Sequence, residues 1–244
     1  MRVDSLALRL RPRTPMEAAD LGVRLCQRAA RSVYRCYLAV ALPAVALSMA
    51  TLEIAAWLPP LVIWWLKPWF DRTILFVLSR AAFGQETTLS DLWQAQRSVL
   101  WGQLLSTLTW RRLSPWRAFT QPVYQLEGHP FGNARKRVSQ LRRMQTTQAL
   151  LVTSAYSAAE TMLSVAVVSL AFWLAPAGTE IPFADLIEDR ATGAMALLLP
   201  LAYAAVVLFL EPFYSAAGFA MYLNRRAELE AWDIEQELRR AFGQ

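Results

Sequence analysis

"WWLKPWFDRTILFV", residues 64–77, joins tryptophans and aliphatics suited to hydrocarbon with Lys67, Pro68, Asp71 and Arg72, which are not. Either a membrane helix carries charge inside it, or an apolar helix stops short and turns. Distance decides between them. Just upstream, Glu53, Trp57 and the Pro59-Pro60 pair mark a tight outer turn. From Trp57 to Lys67 an α-helix rises only about 15 Å, half of the roughly 30 Å hydrocarbon thickness. The chain has therefore not crossed when it meets the charges. The arginine-rich sequence beyond has cytoplasmic character, so the crossing ends soon after. Lys67 falls near mid-depth, with Asp71 and Arg72 in the inner half. Pro68 supplies a kink, and residues 72–83, with Ile74, Leu75, Leu78, Ala81 and Ala82 on one face, bend into an interfacial helix.

The rest of the composition agrees with a membrane setting. Of 244 residues 55% are hydrophobic and 18% charged, and the apolar ones gather in blocks rather than amphipathic stripes. The blocks cover residues 36–52, 54–78, 146–176 and 191–223; Glu160 and Glu211 alone interrupt the last two. The net charge is +6, and Lys67 and Lys136 are the only lysines. In a chain with several spans this basic balance reads as positive-inside topology, and no nucleic-acid partner is expected. The arginine and alanine bias fits GC-rich bacterial coding, hence a bacterial inner membrane. Cys26, Cys36 and His129 have no metal-binding or redox spacing, so no metal or cofactor is expected. No Gly-rich phosphate loop or nucleophile elbow appears, and no enzymatic activity is expected. No cleavable leader is visible, because Arg2, Arg9, Arg11, Arg13, Arg24, Arg28, Arg31 and Arg35 leave no short apolar core before a cleavage site.

The expected fold is all-α: a polytopic integral membrane protein with four transmembrane helices, interfacial amphipathic helices, and both termini cytoplasmic. Residues 1–35 are a tail and amphipathic helix, started by Thr14 as N-cap, Pro15 at N1 and Glu17 in the first turn. Met16, Ala19, Val23, Cys26, Ala30, Val33 and Tyr37 give that helix an apolar side, which lies on the membrane or packs on the protein itself. Residues 36–84 form the first hairpin with its interfacial extension. Residues 85–147 form a cytoplasmic or interfacial helical region. Within it Ser90–Arg112 suits one helix, Ser98–Trp110 is too short to span and suits an interfacial or re-entrant element, and "SPWRAFTQPVYQLEGHPFGN" (114–133) reads as a loop. Trp93, Trp101, Trp110 and Trp116 serve as interfacial anchors. "ARKRVSQLRRM" (134–144) is a basic helix leading into the second hairpin, residues 148–223. Between its helices the loop containing Glu180, Asp185, Glu188 and Asp189 with Arg190 is poor in base and lies outside. Residues 224–244 form a charged cytoplasmic helix.

Embedded charge is the main functional signal. Lys67, Asp71, Arg72, Glu160 and Glu211 form an intramembrane polar cluster, with Lys67 expected to meet Glu160 at mid-depth. Arg72 is expected to meet Glu211 at the inner headgroup level, since pairing removes much of the cost of burial. The cluster serves either as a polar site for a headgroup, ion or proton, or as pairs that fix helix register. Arg135, Lys136, Arg137, Arg142 and Arg143 suit contact with anionic lipid or simply hold their loop inside. Ser154, Ala155, Ser157, Ala158, Ala159 and Ser164, with Ala202, Ala204, Ala205, Ala216, Ala217 and Gly218, allow close helix approach.

"YLNRRAELEAWDIE" (222–235) resembles the closing motif of the bacterial glycerophosphoryl diester phosphodiesterase membrane-domain-like family. Tyr222, Leu223, Arg226, Glu230 and Asp233 fit it, while Asn224 and Ala231 depart from the usual Asp and Gly. "LRPRTPMEAADLG" and "FTQPVYQLEG" are similar to further stretches of that family. The resemblance concerns the membrane part alone; the family's phosphodiester chemistry belongs to a separate barrel of some 250 residues, for which this chain leaves no room. It implies a multi-span inner-membrane protein encoded near other membrane proteins and MoxR-type ATPases. The expected partners are membrane phospholipids together with other membrane proteins or further copies of the chain. The expected role is a non-enzymatic accessory or scaffold subunit of a membrane complex; the alternative is a lipid or small-solute transport component using the buried charges. A cavity reaching Glu160 favours the transport alternative, and a closed bundle with an exposed apolar flank favours the scaffold.

Overall fold

Thr14 opens the first helix as its spacing predicts. Its hydroxyl accepts from the Glu17 amide (3.3 Å) while the Glu17 carboxylate accepts from the Thr14 amide (3.2 Å), a reciprocal cap ahead of Pro15 at the first helical position. The computed structural model describes residues 13–128, 131–143, 145–174 and 194–230. Among these the architecture is all-helical, with no strand. Residues 1–12, His129, the acidic loop 180–190, and residues 231–244 with Asp233 lie outside the described residues.

Among the described residues nine α-helices follow in order: α1 Pro15–Arg28, α2 Ala30–Met49, α3 Leu58–Ala81, α4 Leu89–Gln96, α5 Leu104–Leu108, α6 Arg117–Leu126, α7 Phe131–Arg142, α8 Thr146–Trp173 and α9 Ala194–Glu230. Three helical segments among these residues are long and apolar enough to cross a membrane: Ala30–Glu53, Thr146–Trp173 and Ala196–Glu230. These correspond to the first, third and fourth expected spans. A 3₁₀ turn at Ala50–Glu53 and the Pro59-Pro60 pair at the start of α3 make the expected tight turn between α2 and α3.

α9 is the axis of the bundle, packing against α1, α2, α3, α6, α7 and α8. Small residues make this possible. A Cβ added at Gly22 would overlap the Ala216 carbonyl, and one added at Gly218 would overlap Ala118, so α1 and α6 both approach the α9 backbone closely. α1 therefore buries Ala18, Ala19, Leu25 and Cys26 against the protein itself, the second of its two expected placements. Pro212 removes one N–H from α9. Nearby, Tyr34 and Tyr37 of α2 donate hydroxyls to the Phe209 and Val207 carbonyls (2.9 and 3.5 Å).

Three expectations need correction. α3 is assigned as one helix through Pro68 to Ala81, and its second half does not lie on a surface. Asp71, Arg72, Thr73, Ile74, Leu75, Val77 and Leu78 are all buried. Its polar side, which looked solvent-facing, is covered by segments from the middle region. That region is itself more broken than one helix. α4, capped by Thr88 and Asp91, gives way to a π turn at Arg97–Trp101 and then Gln103 in the left-handed region (φ 56°). The Asp91 carboxyl is held below its usual range by the Thr88 amide and hydroxyl that donate to it. Finally, the stretch read as a loop contains α6, buried from Arg117 to Val123. Pro115 and Pro122 suggested punctuation, but Pro115 precedes the helix and α6 continues through Pro122.

Glycine substitutions test the close approaches. Gly218→Leu should destabilise by about 1–3 kcal/mol or more through overpacking, seen as a lower unfolding midpoint in detergent. Gly132→Ala, with nothing within 4 Å of the new Cβ, should stay within about 0.5 kcal/mol of the parent. Equal effects at both positions would remove the packing argument.

Candidate functional site: a buried ion network beside two cavities

The network forms where α3, α6, α8 and α9 meet. Lys67 Nζ lies 2.5 Å from Glu160 Oε2 and 2.8 Å from Glu211 Oε2, so one ammonium bridges α3 to both α8 and α9. One turn along α3, Asp71 accepts from the Ser215 hydroxyl (2.5 Å) and pairs with Arg117 Nε (2.8 Å). The same guanidinium reaches Glu211 Oε1 through Nη2 (2.6 Å). Arg117 thus clamps a carboxylate of α3 to one of α9. It also stands 5.3 Å from the centroid of the Tyr214 ring, whose hydroxyl lies 3.3 Å from that of Thr153 on α8. Asp71, Arg117 and Glu211 are almost fully enclosed, so each ion depends on its partners for what solvent no longer supplies.

The expected Lys67–Glu160 contact is present. The expected Arg72–Glu211 contact is not. Arg72 turns instead to the π turn, donating from Nε to the Val99 carbonyl (2.5 Å), from Nη2 to the Ser98 carbonyl (2.8 Å) and from Nη1 to the Thr107 hydroxyl (3.4 Å). Helical rise places Glu211 only relative to the start of its own helix. It does not fix the level of that start relative to α8, and Glu211 shares Lys67 with Glu160. Nor did periodicity reveal a helical break offering carbonyls to Arg72. Gly102 keeps that break open, since a Cβ there would overlap the Ser98 carbonyl.

The basic residues of 135–143 do not form one lipid-facing patch. Arg135 and Lys136 are exposed. Arg137 is drawn inward to Glu127 (3.3 Å) and Glu230. Arg142 stacks its guanidinium on Trp116, 3.6 Å from the ring centroid, while the Arg143 carbonyl accepts from Arg225 (3.1 Å). The C-terminal motif residues also act within the fold. Tyr222 donates to Glu127 (2.7 Å), and Arg226 Nε donates to both Glu230 oxygens (3.1 and 3.0 Å). Together with Arg137 they tie the end of α6 and the middle of α7 to α9. Of the tryptophans, Trp93 and Trp101 are exposed, whereas Trp116 donates to the Thr146 carbonyl (3.1 Å).

Sequence reasoning missed Arg117 and Glu127, both inside the supposed loop. The available signal was Trp116-Arg117-Ala118-Phe119 followed by Val123 and Tyr124, a helical recurrence of large side chains that the prolines obscured.

Two cavities flank the network. One of about 270 Å³ is walled by Trp64, Lys67, Arg112, Tyr156, Glu160 and Glu211 among others. A larger one of about 720 Å³ lies on the α7 side of Arg117. They share Leu113, Ser114, Pro115 and Arg117 as a common wall. Arg112 covers the face of Trp64 at 3.6 Å from the ring centroid, at the first cavity's edge. Among the described residues no group of three or more His, Cys, Asp or Glu side chains is arranged to hold a metal ion.

A double-mutant series tests the clamp. Arg117→Met should cost about 3–5 kcal/mol, because it strands buried carboxylates. Adding Asp71→Asn should recover part of that loss in the unfolding midpoint; strict additivity would show that the two groups are not coupled. No protein-family model, curated protein or solved structure matches the chain, so the family resemblance rests on its motifs alone.

Proposed function

We propose that the chain is a non-enzymatic, four-span protein of a bacterial inner membrane that handles a lipid or small polar solute at the Lys67–Glu160–Glu211 layer. The observation that carries this reading is the cavity of about 270 Å³ reaching Glu160, walled by both cations and carboxylates of the network. A purely structural set of ion pairs gains nothing from an adjoining space, since close packing around it would strengthen every pair. Intramembrane charge beside a cavity is the usual arrangement of a ligand or ion site.

α3 is the fourth span in this reading. Its 24 residues rise about 36 Å, enough for the roughly 30 Å hydrocarbon layer. Its charges exclude it on composition alone, but Lys67 and Asp71 are paired and Arg72 is held by carbonyls, so none faces lipid bare. Leu61 and Trp65 near its start are exposed, as a lipid-facing surface requires. Both termini then lie on the cytoplasmic side.

Aqueous access is the direct test. Ser157 lines the cavity and Leu170 is an exposed apolar position further along α8. In membrane vesicles Ser157→Cys should react with an impermeant thiol reagent, while Leu170→Cys, in hydrocarbon, should not. The native thiols give little background: both are buried, and desolvation pushes the Cys26 thiol up to about 12. Equal reactivity at the two sites, or none at either, would overturn the reading.

A scaffold role is supported by a different observation. α8 buries only Ala149, Val152 and Val168 within the chain, and leaves Ser154, Ala155, Ser157 and Ala158 exposed on it. Small residues on an uncovered apolar helix suit a second helix better than lipid. Mild extraction from native membranes should then recover the chain with other membrane proteins, and repeated recovery alone would remove this role.

A further inference from the structure

The larger cavity has a chemistry that the ion network does not explain. Its wall contains the guanidinium-bearing residues Arg72, Arg111, Arg117, Arg135 and Arg142, and none of its lining residues is a carboxylate. Arg117 is committed to Asp71 and Glu211. For Arg72, Arg135 and Arg142 no carboxylate partner stands among the described residues. Arg72 is the most telling, being buried to 3% exposure while its hydrogen bonds go to two carbonyls and a hydroxyl. Carbonyls satisfy its donors but do not balance its charge, and an unbalanced buried cation is costly.

The other side chains at this wall prepare the site rather than fill it. Arg142 lies on Trp116 and Arg111 on Tyr124, each 3.6 Å from the ring centroid. Stacking fixes the plane of a guanidinium, and its donors all lie in that plane. Ser114 and Ser139 add hydroxyls. Planar forks and hydroxyls lining a space free of carboxylates match the tetrahedral oxygens of a phosphate better than the single plane of a carboxylate.

We propose that the chamber between α3, α5, α6 and α7 is a binding site for a phosphate ester group. The group belongs either to a phospholipid headgroup at the inner surface or to a free organic phosphate. The shared wall at Leu113–Pro115 and Arg117 places the site beside the Glu160 cavity, so the proposal deepens the ligand-handling reading and rests on it for its membrane setting.

The test uses the full chain purified in mild detergent. Native mass spectrometry reads binding of phosphatidylglycerol against diacylglycerol, which has no phosphate. Thermal unfolding reads protection by inorganic phosphate against chloride at matched ionic strength. The key variant is the Arg135→Gln/Arg142→Gln pair, and the control is Lys136→Gln/Arg143→Gln, which removes the same charge at neighbouring positions outside the chamber wall. Phosphatidylglycerol binding, or phosphate protection, should weaken at least about tenfold in the first pair and stay unchanged in the second. Lipid binding alone identifies a headgroup site, and protection by inorganic phosphate alone identifies a free phosphate site. Binding of neither probe, or equal loss in both variant pairs, overturns the proposal. If Ser157→Cys labelling persists while phosphate binding fails, only this site falls; loss of that labelling pattern removes the wider reading instead.

Discussion

The junction of α3, α6, α8 and α9 is arranged around the need to balance Arg117. A guanidinium enclosed away from water demands opposite charge at hydrogen-bond distance, and it finds Asp71 on α3 and Glu211 on α9. That demand fixes the register of the two helices and draws α6 into the space between them. Glu211 then places Lys67, and Lys67 reaches Glu160 on α8. A chain of five side chains thereby sets the relative height of four helices whose apolar surfaces alone would slide past one another.

The same constraint explains why the two sides of the network differ. On the α8 side, cations and carboxylates mix around a small cavity. On the α7 side, the carboxylates are absent from the wall and arginines dominate a larger one. Arg117 sits in both walls, so it separates a balanced region from a positive one. The aromatic residues follow this division: Trp116 and Tyr124 carry arginines at the positive cavity, and Trp64 carries Arg112 at the mixed one.

Much of this was legible in the sequence, and the failures have a common origin. Long apolar blocks identified α2, α8 and α9, because lipid-facing helices depend on composition more than on context. The cap at Thr14 and the Lys67–Glu160 pair were readable because one is local and the other follows from helical rise. The route of Arg72 was not, since it depends on a π turn that no periodicity announces. α6 was hidden because proline marks both loops and helices that neighbours stabilise. Glu127, inside the stretch read as a loop, and Arg137, read as a lipid contact or a topology signal, were missed as partners for a related reason: Tyr222 and Glu230, which they meet, come from far along the chain. Of the local contacts the Thr14 cap was recovered and the Thr88–Asp91 cap was not; of the two contacts placed by depth, Lys67–Glu160 was recovered and Arg72–Glu211 was not.

The position of α9 has a consequence for biosynthesis. It is the last helix described, yet it contacts the first, and Glu211 follows Arg117 by 94 residues. Lys67 likewise precedes Glu160 by 93. A ribosome therefore delivers the cations well before most of their counter-ions, and Asp71 is the only acidic member of the network that is made early. Lys67 and Arg117 are made before Glu160 and Glu211, and their network is complete only once α9 arrives. Assembly of this bundle is thus a late event in translation, and a chain stopped before α9 lacks the element against which α1, α2, α3, α6, α7 and α8 pack.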